Sequence, residues 1–221
     1  MEQFDTPKLL EPNLRVSERA RMAFEEFGPE GAFFWLVAQA NALGHDISEL
    51  GRALLPLGAK PNSENRRGMS PLMEAAHEGD SKLVEALFEF CDPCFVGKKS
   101  QYTALGAATH GASLECVRML LPLSNPNHPD DANFTPLMLT AIFGGSTMTA
   151  IARVLLPLTD IEFACPRNGT ALDLAVRRGD RSKDIAAILR QEAARRLALA
   201  EAADIASVSQ DASPRPSAPS L

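Results

Sequence analysis

Apolar residues fall at helical spacing in short runs along most of the chain. Leu83, Val84, Leu87 and Phe88 form one stripe, Leu114, Val117, Leu120 and Leu121 a second, and Ile151, Val154, Leu155 and Leu156 a third. This spacing puts one apolar face on each of three helices. Ahead of every stripe stands a shorter phrase. Three of these are Ser70-Pro71-Leu72-Met73-Glu74-Ala75-Ala76, Thr103-Ala104-Leu105-Gly106-Ala107-Ala108 and Thr135-Pro136-Leu137-Met138-Leu139-Thr140-Ala141. A fourth, Thr170-Ala171-Leu172-Asp173-Leu174-Ala175, opens the last unit. The hydroxyl of each phrase is a helix N-cap, and Pro71 and Pro136 take the first helical position, where a missing N–H costs nothing. Leu and the small Ala pair face inward. Gly79 and Gly179 end their helices, and Asp80 and Asp180 are the expected caps of the next ones.

The four caps recur about every 33 residues, a period that means stacked supersecondary units sharing one interior. A stack of this kind works through the surface it presents. From Thr135 to Leu155 the fourth unit is about three residues longer than its neighbours. The surplus is expected in a lengthened turn at Gly144-Gly145-Ser146-Thr147. Upstream, Trp35 through Leu57 aligns without gaps onto Pro136 through Leu158, which predicts a further unit without the Thr-Pro cap. Before it, Ser17 to Phe27 reads as an amphipathic helix ended by Gly28-Pro29 and covering the open end of the stack. Downstream, Ile185 to Ala203 is a long helix in which Leu189, Leu197 and Leu199 are expected to cap the last unit or, alternatively, to pair with another copy. The chain thus divides into a flexible N-terminus (1–13), a capping helix (14–30), a divergent first repeat (31–68), repeats at 69–101, 102–133 and 134–168, a fifth with an extended C-terminal helix (169–205), and a disordered tail (206–221).

These phrases resemble the ankyrin-repeat family over about Phe34 to Leu189. The resemblance implies an all-α solenoid of about five helix-pair units, with hairpin-like loops projecting from it. Three features depart from the family pattern. Its usual His after Thr-Pro-Leu is replaced by Met73, Gly106, Met138 and Asp173, so polar links between successive caps should be thin. Pro56, Pro122 and Pro157 interrupt the second helices in a recurring Leu-Leu-Pro-Leu, where a helix must stop or bend. The Gly that follows survives as Gly58 but is replaced near Ser124 and Thr159.

Partners of ankyrin proteins meet the loop tips and the exposed side of the first helices. By position the resemblance implies partner contacts at Arg66, Arg67, Lys98, Lys99, Tyr102, Asp130, Asp131, Phe134 and Arg167 on the tips. On the first helices it implies Glu74, His77, Glu78, His110, Phe143, Arg177 and Arg178. These letters vary between units while cap and core letters hold. Tyr102, Phe134 and Phe143 are the candidate aromatic anchors. The groove is expected to change sign from Glu74 and Glu78 to Arg177 and Arg178.

Composition narrows the function classes. The 221 residues carry 22 basic and 28 acidic side chains, a net charge of −6, and 45% are apolar. That balance suits a soluble, core-forming chain and disfavours nucleic acid as a partner. No stretch approaches the ~20 apolar residues that span a bilayer, and Met1 to Asp5 lacks the basic and apolar regions of an export signal. Cys91, Cys94, Cys116 and Cys165 are too scattered for a disulfide framework. Cys91-Asp92-Pro93-Cys94 has metal-knuckle spacing, but two further ligands are not at hand. His45, His77, His110 and His128 stand without a nucleophile beside them. Gly144-Gly145-Ser146-Thr147 lacks the Gly-Lys-Ser/Thr ending of a phosphate loop.

The expectation is therefore a non-enzymatic, monomeric interaction protein of the cytoplasm, an adaptor, scaffold or inhibitor. Its partner is another protein or peptide, without cofactor, metal, nucleic acid or membrane. The competing readings are an effector exported into a host cell and a regulatory piece of an enzyme.

Overall fold

A computed structural model describes residues 14–43 and 47–211. The stretch 1–13, His45 and residues 212–221 of the expected tail lie outside the described residues. Helix α1 (Val16–Ala38) breaks at Gly28, where φ is 70° and ψ −177°, and resumes at Pro29. The alignment of Trp35 with a helix start is thereby corrected. No cap hydroxyl precedes Trp35, whereas Gly28-Pro29 offers a break and a first-position proline, so the helix begins there. Trp35 is fully buried within it.

After α2 (Ala40–Leu43) and α3 (Ile47–Leu54) come four pairs: α4 (Pro71–Glu78) with α5 (Ser81–Leu87), α6 (Ala104–His110) with α7 (Leu114–Leu120), α8 (Pro136–Phe143) with α9 (Ser146–Leu155), and α10 (Ala171–Arg178) with α11 (Lys183–Asp211). The first helices pack in the order α1, α4, α6, α8, α10, and the second helices in the order α3, α5, α7, α9, α11. Each element thus touches its counterpart one repeat later. The fold is an all-α solenoid, with no strand among the described residues and one isolated bridge between Cys165 and Gly169. Its interior is one continuous core from Ala20 to Leu189.

The caps form as the phrases dictate. Ser70, Thr103, Thr135 and Thr170 accept the N–H of Met73, Gly106, Met138 and Asp173 at 3.3, 3.1, 3.4 and 3.3 Å. In two units the residue at the family's His position closes the cap on itself. Met73 Sδ accepts the Ser70 N–H at 3.4 Å, and Asp173 Oδ2 accepts the Thr170 N–H at 2.8 Å. Polar ties between units run instead through the loops. Asp131 donates its N–H to Ser100 O at 3.1 Å, and the Ser100 hydroxyl donates to Gly68 O at 2.8 Å. Lower down, Asp160 N–H reaches Asn127 Oδ1 at 2.7 Å and Asp92 N–H reaches Asn62 Oδ1 at 2.9 Å.

Helices α3, α7 and α9 stop at the Leu-Leu-Pro-Leu phrase and pass into 3-10 turns, Leu55–Leu57, Leu121–Leu123 and Leu156–Leu158. The first turn ends in left-handed Gly58, whereas Ser124 and Thr159 are extended. The fourth unit differs from expectation. Its two helices are joined by Gly144-Gly145 alone, and α9 has 10 residues where α5 and α7 have 7. Gly144 (φ 63°, ψ −176°) and Gly145 (φ 90°, ψ 174°) adopt backbone open essentially to glycine, so the turn closes tightly. The surplus residues extend the helix. Asp180 is likewise not a cap: it lies in the 3-10 turn Gly179–Ser182, which docks on the fourth unit through Ser182 Oγ donating to Ala141 O at 2.8 Å.

On α11, Ile185, Ala186, Ile188 and Leu189 are buried against the stack. Leu197 and Leu199, expected to pack there too, are 62% and 57% exposed because the helix has by then run past the last repeat. It continues to Asp211, through the first residues of the stretch expected as a disordered tail.

Candidate functional site

Each loop tip is a closed hairpin whose backbone bonds are set by residues just before the next cap. Asn65 N–H pairs with Met69 O, Gly97 N–H with Tyr102 O, and Asp130 N–H with Phe134 O, each at 3.0 Å. Gly68, Gln101 and Asn133, two residues before their caps, take positive φ to make the turn. Asp130 is buried and organises its own tip, accepting the N–H groups of Ala132 and Phe134 at 2.9 and 2.8 Å. Burial raises its carboxyl pKa, opposed by these bonds.

Between the tips and the first helices of the second and third units lies a groove of about 420 Å³. It brings together Arg67, His77, Lys99, Tyr102, His110 and Asp131 from the expected contact set, with Met69, Ser100 and Ala107. Its floor is a pair of histidines. His77 Nε2 lies 3.2 Å from His110 Nδ1, and the rings stack with centroids 5.2 Å apart. One nitrogen donates and the other accepts, so the contact holds a single proton between the rings. Tyr102 meets the His110 ring edge-on at 6.2 Å, and Phe143 does so at 4.9 Å from the fourth unit. Close helix approach makes this possible: a Cβ at Gly111 would collide with the His77 carbonyl oxygen.

Burial first, then His77, lowers the His110 pKa below its ordinary value, while Asp130 opposes them. Burial also raises the Tyr102 phenol, helped by Asp130 and Asp131. The groove floor is therefore ring-faced, with His110 biased toward its neutral form, and formal charges stand on the rim, at Arg67, Lys99 and Asp131.

The other expected contact residues fall elsewhere. Arg66, Lys98 and Glu78 are exposed on the same two units. Glu74 is half-buried; its carboxylate accepts from Asn65 Nδ2 and pairs with Arg67 at 3.5 Å. Phe134 and Asp130 line a smaller crevice with Tyr102 and Leu139. Arg167 and Arg178 are exposed in the last unit, and Arg177 bends back to donate to Asn168 O. These three lie outside the groove. Met69, Ser100 and the pairing of the histidines were not foreseen. A signal for Met69 exists: it stands immediately before a cap, as Tyr102 and Phe134 do.

The cysteines tie units together. Cys91 is buried and donates to Pro61 O at 3.4 Å, its thiol pushed up to about 12 by burial. Cys94 donates to Leu123 O at 2.9 Å in the following unit. Among the described residues no group of three or more His, Cys, Asp or Glu could hold a metal ion, and no helix is long and apolar enough to cross a membrane.

Stacked helical hairpins with an open, ring-floored groove define a helical-repeat protein. A family model described as ankyrin repeats (3 copies) matches residues 36–130 and 107–198, and the chain belongs to the ankyrin-repeat family. No curated protein matches the chain. Ankyrin repeats are in general protein–protein interaction modules, and their fold is typically non-catalytic.

Proposed function

We propose that this protein is a non-enzymatic interaction module, acting as a monomer in the cytoplasm as an adaptor, scaffold or inhibitor. It holds a segment of another protein against the tips and first helices of its middle units, and takes neither cofactor nor nucleic acid. The observation that supports this is the groove itself, where side chains from successive repeats converge on one surface of about 420 Å³. That volume lies in the lower part of the roughly 300–1,000 Å³ range of small-ligand clefts, so a few side chains of a partner would fill it. Tyr102 in the groove lining and Phe143 beside it are the aromatic anchors, each half-exposed and held by contact with His110. Such rings commonly dominate interface energy.

Affinity capture with the intact protein, repeated with Tyr102→Ala and Phe143→Ala, tests this reading. Captured partners should fall at least tenfold for each variant while its circular dichroism spectrum is unchanged. Equal capture by wild type and both variants would remove the groove from the function.

A further inference from the structure

The groove has a chemistry of its own that narrows what can occupy it. The chain as a whole is acidic, with a net charge of −6. Yet two successive tips carry Arg66-Arg67 and Lys98-Lys99, and one cation from each, Arg67 and Lys99, lines the groove. Arg67 keeps 62% of its side chain in solvent despite its pairing with Glu74. Glu74 itself offers little negative charge outward: its side chain is 14% exposed and its carboxylate is held by Asn65 and Arg67. At this end of the first helices the outward negative charge therefore rests on Glu78, which is exposed but outside the groove lining. The floor between the cations is ring-faced, the His77 and His110 rings stacked at 5.2 Å and joined by one hydrogen bond. The remaining charge in the lining is Asp131, on the third tip.

From this arrangement we infer that the groove takes an acidic segment of the partner protein, with its carboxylates against Arg67 and Lys99 and an aromatic side chain on the Tyr102–His110 rings. This inference rests on the reading of the chain as an interaction module. Charges arranged this way fix orientation and speed of encounter more than raw affinity. The acidic remainder of the molecule turns such a segment away from other faces, and the two cations draw it to this one. Asp131 gives the groove a direction, repelling carboxylates at its end and favouring a neutral or basic residue there. A nucleic acid fits less well. Polyanion affinity grows with the number of cations contacting phosphates, and the groove presents two on an acidic body.

A random peptide library displayed on phage, panned on the full-length chain, tests the inference. Enriched peptides should be rich in Asp and Glu beside an aromatic residue. Synthetic copies should bind at least tenfold more weakly to Lys99→Glu and to the Arg67→Gln, Lys99→Gln double variant. Both variants change exposed side chains, and their melting curves are expected to match wild type. Added salt should weaken binding to wild type more than to either variant. Enrichment of neutral or basic peptides, or affinities indifferent to both variants, would overturn the inference. If those peptides still needed Tyr102 or Phe143, the interaction reading would stand while the acidic preference fell. No enrichment over a panel panned on the double variant counts against the inference, as does competition by a uridine oligonucleotide that outlasts the peptide.

Discussion

Three rings meet at His110, and its protonation is where a single residue reports on packing. Its native pKa is lowered from 6.5 by burial and then by His77, with Asp130 opposing. In the unfolded chain the ring protonates near 6.5, so on acidification the unfolded state takes up its proton first. The stability this ring contributes is complete above about pH 6.5 and lost as pH falls through the lowered native value. Urea midpoints measured from about pH 8 to about pH 5 should therefore decline more steeply for wild type than for His110→Gln. Parallel declines would show that the ring does not titrate differently in the fold. Gly111 supplies a second residue-scale test. Its φ of −73° would suit alanine, but a Cβ there collides with the His77 carbonyl, so the barrier is packing and not backbone conformation. Gly111→Ala should cost about 1–3 kcal/mol as overpacking between α4 and α6, read by denaturant titration. Neither feature was legible beforehand. The sequence nominated His77 and His110 as first-helix contacts, but which nitrogen faces which depends on how closely two helices approach.

At the scale of elements, local chemistry explains most of what formed. Hydroxyl caps and first-position prolines set the starts of α4, α6, α8 and α10, glycines their ends, and Leu-Pro-Leu the ends of α7 and α9. The misplaced surplus of the fourth unit shows the limit. A Gly-Gly pair reads as a long turn, yet the same freedom of φ permits a very short one, and the choice was made by docking of Gly179–Ser182 against that corner. Helix α11 shows it again. Its sequence offers leucines on several faces, and only the length of the stack determines which are covered. What anchors α11 is Arg196, which donates to Leu156 O at 2.7 Å and Thr159 O at 3.0 Å and is steadied by Glu192 at 2.9 Å. Those carbonyls belong to the 3-10 turn Leu156–Leu158 and the residue after it, and Leu156 O also accepts the Thr159 N–H at 3.4 Å. Arg196→Ala should lower stability by about 1–2 kcal/mol, in line with loss of charged hydrogen bonds that are partly exposed. Thermal melts would check it, and an unchanged midpoint would mean that α11 is held by its buried face alone.

Taken as a whole, the molecule has one continuous core while its main helix-to-helix contacts join neighbouring units, so its cooperativity is an open physical quantity. Trp35, the single tryptophan, is buried in the first unit, far along the chain from Leu137 in the fourth. Leu137→Ala should cost about 2–5 kcal/mol by opening a cavity. If the stack unfolds as one, Trp35 fluorescence and far-ultraviolet circular dichroism should shift together in that variant. A fluorescence midpoint that stays at the wild-type value would show the first unit unfolding independently.

The sequence by itself determined the period, the helix caps, the apolar faces and hence the all-α solenoid, because these follow from the hydrogen-bonding and burial needs of residues close together in the chain. It also nominated most of the residues that line the groove, though not Met69 or Ser100, since loop tips and first helices occupy fixed places in each repeat. Tertiary structure alone decided that Glu74, Asp130 and Arg177 bond to residues nearby in the chain, while Arg67, Lys99 and the histidine pair face a shared space. That division depends on distances between units about 33 residues apart, which side-chain packing sets and no local pattern encodes.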